Sequence, residues 1–357
     1  MSLTSMLDND KEFGEIFKKY IPKKNDFVTN TGTAPFSKQP YLVPYNLEYQ
    51  YNSINIGTAF DYMARLIIAK EICDTEAKVL EGIAASRGLA LVVENDNIKG
   101  LHKGKIIRLY EKSEKEIKQF INNKKSSYVD IVNATCFLAK LEAVARTGGL
   151  LPKSGVKDIL EIDEEIKRDV MKMSEVFNNV FIVNGLVKST SDVVFNPMFG
   201  ITSLLVGGAD ADVYIDGVLY DFKSSKNCGY RWKDVAQLYG YYLLDCINKI
   251  NPLSDDIMSI GKKEIKELAI YSARFGIINS YPIYKVSKKE VSELLIEFTE
   301  YLRCSPNNAI NRSFFTGFLI ASYKAGEIKG VANMDEVKKI IRSSIDRTNI
   351  EKWIENL

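Results

Sequence analysis

Asp210, Asp212, Asp221 and Lys223 are the residues of this chain whose types and spacing lend themselves best to chemistry. They flank Asp216-Gly217, a two-residue type I′ turn signature set between alternating apolar residues. That turn would pair Ile215 with Val218, Tyr214 with Leu219, Val213 with Tyr220, Asp212 with Asp221, and Asp210 with Lys223. Because strand side chains alternate, Val213, Ile215, Val218, Tyr220 and Phe222 would then form an apolar face, and the three carboxylates and the ammonium would share the other. Carboxylates facing one another need a cation, a lysine or a raised pKa. Mg²⁺ meets that need well: it takes oxygen ligands and is commonly held by one or two carboxylates plus a substrate phosphate. Lys223 beside a scissile phosphate would stabilise developing negative charge. The plain alternative is an exposed hairpin with a solvated charged face.

The elements that must position these groups follow on either side. Tyr230-Arg231-Trp232-Lys233 opens a helix running to about Asn248, with Gln237 and Tyr241 four apart on one face and Lys233 on the same stripe. Upstream, Gly57-Thr58-Ala59-Phe60-Asp61 opens an amphipathic helix to about Ile72. Asp212 followed by a hairpin and Asp221-Phe222-Lys223 resembles the PD-(D/E)xK nuclease signature, and Gln237-Leu238-Tyr239-Gly240-Tyr241 resembles the Q-x-x-x-Y element of its RecB-like branch. The ordered set lies between Gly207 and Tyr241, with G-x-x-D at Gly207 to Asp210 or shifted to Asp212, and is more specific than any of its parts.

The resemblance implies a metal-dependent deoxyribonuclease with a restriction-endonuclease-like α/β core, a central mixed sheet flanked by helices, carrying a large helical insertion. It implies Mg²⁺ or Mn²⁺ held by Asp212 and Asp221, with Asp210 the alternative to Asp212, since spacing does not choose between them. In that branch the first core helix begins G-x-x-x-H; here the matching position is Asp61, a departure that replaces the histidine with an oxygen ligand. Lys223 would stabilise the transition state, and Gln237 and Tyr241 would support the site. Lys226, Arg231, Trp232 and Lys233 would guide a nucleic-acid strand by charge and stacking. The implied partners are DNA and a separate helicase or other nucleic-acid-processing protein, since this chain has no helicase motif; the role would be repair or defence.

Composition bounds the rest. The chain has 357 residues, 46% hydrophobic and 26% charged, enough for one elaborated domain or two. A formal charge of +2 makes any nucleic-acid site local rather than global. Five scattered cysteines with no C-x-x-C pair, and His102 as the sole histidine, argue against zinc or an iron-sulfur cluster. No signal-like N-terminus or long apolar run is present, so the expectation is a cytoplasmic protein with no membrane partner.

The expected organisation is an irregular lead-in at 1–56, a first core helix at 57–72, a helical insertion at 73–190, the nuclease core at 191–302 and a helical extension at 303–357. Helices are expected at Lys11 to Tyr20, Glu76 to Ser86, Glu114 to Asn122, Tyr128 to Arg146, Glu161 to Phe177, Glu290 to Leu302, and within Ala309 to Leu357. Strands are expected at Phe181 to Val183, Val193 to Phe195, Leu204 to Val206, Leu268 to Ser272 and Tyr281 to Val286. Tyr41, Tyr45, Tyr49 and Tyr51 offer stacking faces, and Lys103, Lys105, Arg108, Lys124 and Lys125 offer phosphate contacts. Two other readings compete. One is a catalytically silent nuclease-fold DNA-binding or scaffold protein. The other takes Asp210-Ala211-Asp212 as the D-x-D of a haloacid-dehalogenase-like phosphatase, which the Asp216-Gly217 hairpin disfavours.

Overall fold

The computed structural model describes residues 2–45, 52–151, 155–250, 260–261, 263–285 and 288–324. Two helices open it, α1 (Leu3–Asn9) and α2 (Lys11–Tyr20), followed by a short strand β1 (Val28–Thr29) and the long helix α3 (Asn52–Glu71). A helical segment follows: α4 (Ala84–Glu94), α5 (Gly100–Asn122), α6 (Val132–Arg146), α7 (Val156–Leu160) and α8 (Glu164–Asn178). Then come β2 (Val193–Phe195), β3 (Val213–Ile215), β4 (Val218–Lys223), α9 (Trp232–Ile250), β5 (Glu267–Ser272), β6 (Ile277–Pro282), α10 (Lys288–Cys304) and α11 (Ala309–Lys324).

The strands form one open six-stranded sheet in the order β1-β6-β5-β4-β3-β2. Only β4 and β5 run parallel, which requires the crossover that α9 supplies. Side-chain alternation divides the sheet between two cores. Val213, Ile215, Tyr220, Phe222, Ala269 and Tyr271 pack with α3, α6 and α8. Tyr214, Leu219, Leu268 and Ile270 pack with α1, α2, α9 and α10. The result is a mixed α/β fold with helices on both faces of the sheet. No helix among the described residues is long and apolar enough to cross a membrane.

The Asp216-Gly217 turn has positive φ at both residues, 48° and 97°, as a type I′ turn requires. It fixes the pairs Ile215–Val218, Tyr214–Leu219 and Val213–Tyr220. The ladder stops there. The expected Asp210–Lys223 pair does not form; Asp210 instead bridges Met198 in antiparallel sense. The second hairpin face is not a solvated one either, because Tyr214 and Leu219 are buried beneath α9 and Asp221 is only 4% exposed.

Several apolar runs take other shapes than expected. Phe181 to Val183 lies in a π-helical turn, Asn179–Val183, extending α8. Leu204 to Val206 ends a 3-10 helix, Gly200–Val206, and not a strand. Short apolar runs of this kind do not distinguish a buried strand from a buried helical turn. Glu76 to Ser86 is a 3-10 turn at Lys78–Leu80 before α4 begins at Ala84. Strand β6 begins earlier than Tyr281, directly after a turn closed by Gly276 at φ 64°, and ends at Pro282. The 1–56 segment is less irregular than expected: Leu3, Met6, Leu7, Phe13 and Phe17 belong to the second core. Tyr49, Tyr51, Val286 and the chain after Lys324 lie outside the described residues.

Candidate functional site

The site forms where β4 ends between its two flanking helices. Gly57 on α3 sets the approach: a Cβ there would lie 2.9 Å from the Ser224 hydroxyl oxygen, just past Lys223. A glycine therefore lets α3 come close to the end of β4, and one helical turn later Asp61 reaches the carboxylates of the hairpin.

Asp212 arrives by leaving the strand ladder. Gly207 and Gly208 turn the chain with φ of 71° and 114°, and the next residues pair with 196–198 through Ala211 N–H to Pro197 O and Asn196 N–H to Asp212 O. The Asp212 side chain then accepts a short hydrogen bond from the Phe222 N–H, so a carboxylate occupies the place where a backbone partner would continue the sheet. Asp221 points to the α9 side, where its carboxylate lies 2.7 Å from Lys223 Nζ. Lys223 also donates to Gln237 Oε1 at 3.2 Å, and Gln237 Nε2 donates to the Tyr241 hydroxyl at 2.7 Å. Tyr241 is buried and stacks on Phe199, centroids 5.2 Å apart at 15°. Gln237 and Tyr241 thus clamp the lysine by a continuous polar chain from α9.

Electrostatics set this cluster apart from an ordinary surface. Burial pushes Asp61 up to about 6, against the pull of Arg65 and with added repulsion from Glu142. Burial raises Asp212 well above the usual carboxylate range, and repulsion from Asp61 and Asp221 adds to it. Burial also raises Asp221 despite its lysine partner, and it raises Asp210 against the pull of Arg146. For Lys223, burial works downward but is outweighed by Asp221 and Asp234, so its ammonium is held above its ordinary value. Burial and like-charge proximity together disfavour ionisation here, as they do at many functional sites and in some structural ion-pair networks.

Structure adds residues that spacing did not bring forward. Arg65, 3% exposed, forms short bonds to Asp61 Oδ2 and to Asn196 Oδ1. From the helical insertion, Glu142 accepts from the Tyr62 hydroxyl at 2.7 Å and from Arg146 Nε at 2.8 Å. An arginine inside the apolar run Tyr62-Met63-Ala64-Arg65-Leu66-Ile67 was the available signal for the first; the second needed a contact across some eighty residues.

Four expected strand-guiding residues divide. Lys226 and Arg231 are exposed. Lys233 turns away from Gln237 to bind Asp8 at 2.6 Å, and Trp232 packs on Gly14 of α2 with Lys18 Nζ 4.7 Å from its ring centroid. Those two hold the N-terminal helices against α9. Lys105, Arg108, Lys124 and Lys125 are exposed on or just after α5, with Lys103 half-buried there.

No family model, curated protein or solved structure matches this chain. Among the described residues no three His, Cys, Asp or Glu side chains are grouped to hold a metal ion by themselves. The arrangement does suit a hard ion that takes one or two carboxylates and fills its shell with water and phosphate oxygens. Asp61 Oδ1 is buried without a hydrogen-bond partner, an oxygen that such an ion would satisfy.

Proposed function

We propose that this chain is a metal-dependent deoxyribonuclease of the PD-(D/E)xK type, with a restriction-endonuclease-like core elaborated by the helical insertion α4–α8. The observation that carries the reading is the convergence of Asp212, Asp221, Lys223 and Gln237 on the end of β4, with Asp61 delivered from α3. Asp221 and Asp212 would hold Mg²⁺ or Mn²⁺, with water and phosphate oxygens filling the shell; Asp61, the expected further ligand, is ion-paired to Arg65, and Asp210 lies on the Met198 bridge. When bound, such an ion supplies Lewis-acid polarisation of the phosphate and lowers the pKa of water.

The chain's own part is positional and electrostatic. Lys223 presents a fixed ammonium to the non-bridging oxygens of the scissile phosphate, where charge accumulates as water adds. Gln237 and Tyr241 restrain its direction. The raised carboxylate pKa values mean that the acids lose their protons most readily when a cation is present, so ion binding and activity should both weaken as pH falls.

Lys223→Ala tests this directly: metal-dependent cleavage of DNA should fall at least about 100-fold, the scale of one lost transition-state charge contact, in a protein that is still folded by circular dichroism although its melting temperature drops because buried Asp221 loses its cation. Full activity in that variant would refute the assignment.

A second reading draws on Arg65. Its buried guanidinium already neutralises Asp61, which fits a nuclease-fold protein that binds nucleic acid without cutting it. Binding without cleavage under every metal condition would favour it. Asp210-Ala211-Asp212 leads into an antiparallel hairpin and not into a strand followed by a helix, which lends the phosphatase alternative no support.

A further inference from the structure

Beside the site, the 36–41 segment and the 226–231 loop enclose a groove of about 480 Å³. Lys38, Lys226 and Arg231 contribute cations to it, and no Asp or Glu lines it among the described residues. In a chain with 48 basic and 46 acidic residues, that is a local segregation of charge. The groove is also aromatic: Tyr41 lies nearly parallel on Phe275, centroids 4.8 Å apart at 27°, yet remains 44% exposed.

We infer that this groove binds single-stranded nucleic acid and leads it to Lys223, an inference that rests on the nuclease reading only for what the strand reaches. A broad aromatic face left open beside cations accepts unstacked bases while the cations meet phosphates. A duplex hides its base faces and gives such a ring nothing to stack on. The groove is also tied to the site. Tyr41 donates its hydroxyl to the Lys226 carbonyl at 2.6 Å, and Lys226 follows Lys223 by three residues. Beneath them Arg274, 1% exposed, bonds Ser224 O at 2.9 Å, Pro44 O at 3.2 Å and Asp169 at 2.6 Å. Its own carbonyl accepts from the Leu42 and Val43 N–H groups. One buried guanidinium therefore locks the groove's outer wall to the residue after the catalytic lysine and to α8.

The test is fluorescence anisotropy with the full chain in EDTA, where binding is read without turnover, using labelled DNA of about 20 nucleotides as a single strand or as a duplex. The single strand should bind about 10-fold more tightly than the duplex, Tyr41→Ala should weaken it by about 10-fold, and Tyr41→Phe should stay within about 2-fold of wild type. The double variant Lys226→Ala with Arg231→Ala should make the dependence of log K on log salt shallower by about 1.4, the share of two phosphate contacts on a single strand. Equal affinity for duplex, or groove variants that bind like wild type with an unchanged salt slope, would overturn the inference. If Tyr41→Ala fails to fold, the Lys226 and Arg231 arm decides. Metal-dependent cleavage alongside groove variants that bind normally would sink the groove and leave the nuclease; groove-dependent binding in a protein that never cleaves would do the reverse.

Discussion

Replacing Asp61 by Asn removes one buried charge from the carboxylate cluster while keeping an oxygen for Arg65, and so isolates what that charge does to the fold. Asp61 ionises at about 6 in the folded chain against an ordinary value of 3.8, chiefly because it is buried. The fold therefore holds this proton more tightly than the unfolded chain does. The stability it contributes is fully present below the ordinary value and is lost as pH rises through about 6. The whole shift is on the order of 3 kcal/mol, of which roughly half falls between about pH 5 and about pH 7.5. Urea titrations of wild type and Asp61→Asn in EDTA at those two pH values should show the variant gaining on the order of 1 kcal/mol on wild type as pH rises. Any constant offset from the altered Arg65 contact cancels in that comparison. Adding Mg²⁺ at the higher pH should close the gap, since an ion at about 100 times its Kd stabilises the fold it binds by about 2.7 kcal/mol. Stability curves for the two proteins that run parallel across this range would refute the electrostatic account of the cluster.

Other perturbations probe how the site is held. Gly57→Leu should push α3 away from Ser224 and displace Asp61; cleavage should drop about 100-fold, as misplacement by an ångström can cause, measured by initial rates beside a thermal melt that shifts far less. Arg274→Ala leaves Asp169 buried without its cation and should cost about 3–5 kcal/mol in urea unfolding; a loss below about 1 kcal/mol would mean the hub is dispensable. Gly200→Ala combines a φ of 63° with a Cβ 1.9 Å from Asn248 Oδ1, so it should lower the melting temperature more than any surface Gly→Ala, for example at Gly100, where nothing lies within 4 Å.

Where local chemistry dictates local geometry, the sequence was readable. Asp216-Gly217 admits one tight turn, and the turn sets a three-pair register that puts Asp221 and Lys223 on the α9 side. Gln237 and Tyr241, four apart on a helix, had to face one way, and they face Lys223. Reading stopped where the backbone had more than one low-cost path. After two glycines, the chain at Asp210 could continue alongside β4 or cross to 196–198, and only tertiary packing selects the second. Phe181 to Val183 and Leu204 to Val206 are too short to reveal a period, so burial rather than propensity decides their shape. Lys233 lies on the expected helix but bonds Asp8 of α1, an acid beside it in space and far away in sequence. Glu142 and Arg146 meet the site through α6, a relation no spacing encodes.

The most direct measurement is cleavage of linear, circular and single-stranded DNA by wild type and Asp221→Ala in parallel, each with Mg²⁺, Mn²⁺ or EDTA. The account predicts cleavage by wild type with either ion, none in EDTA, and none by the variant under any condition. Cleavage that survives loss of the Asp221 carboxylate, or that proceeds unchanged in EDTA, would contradict it.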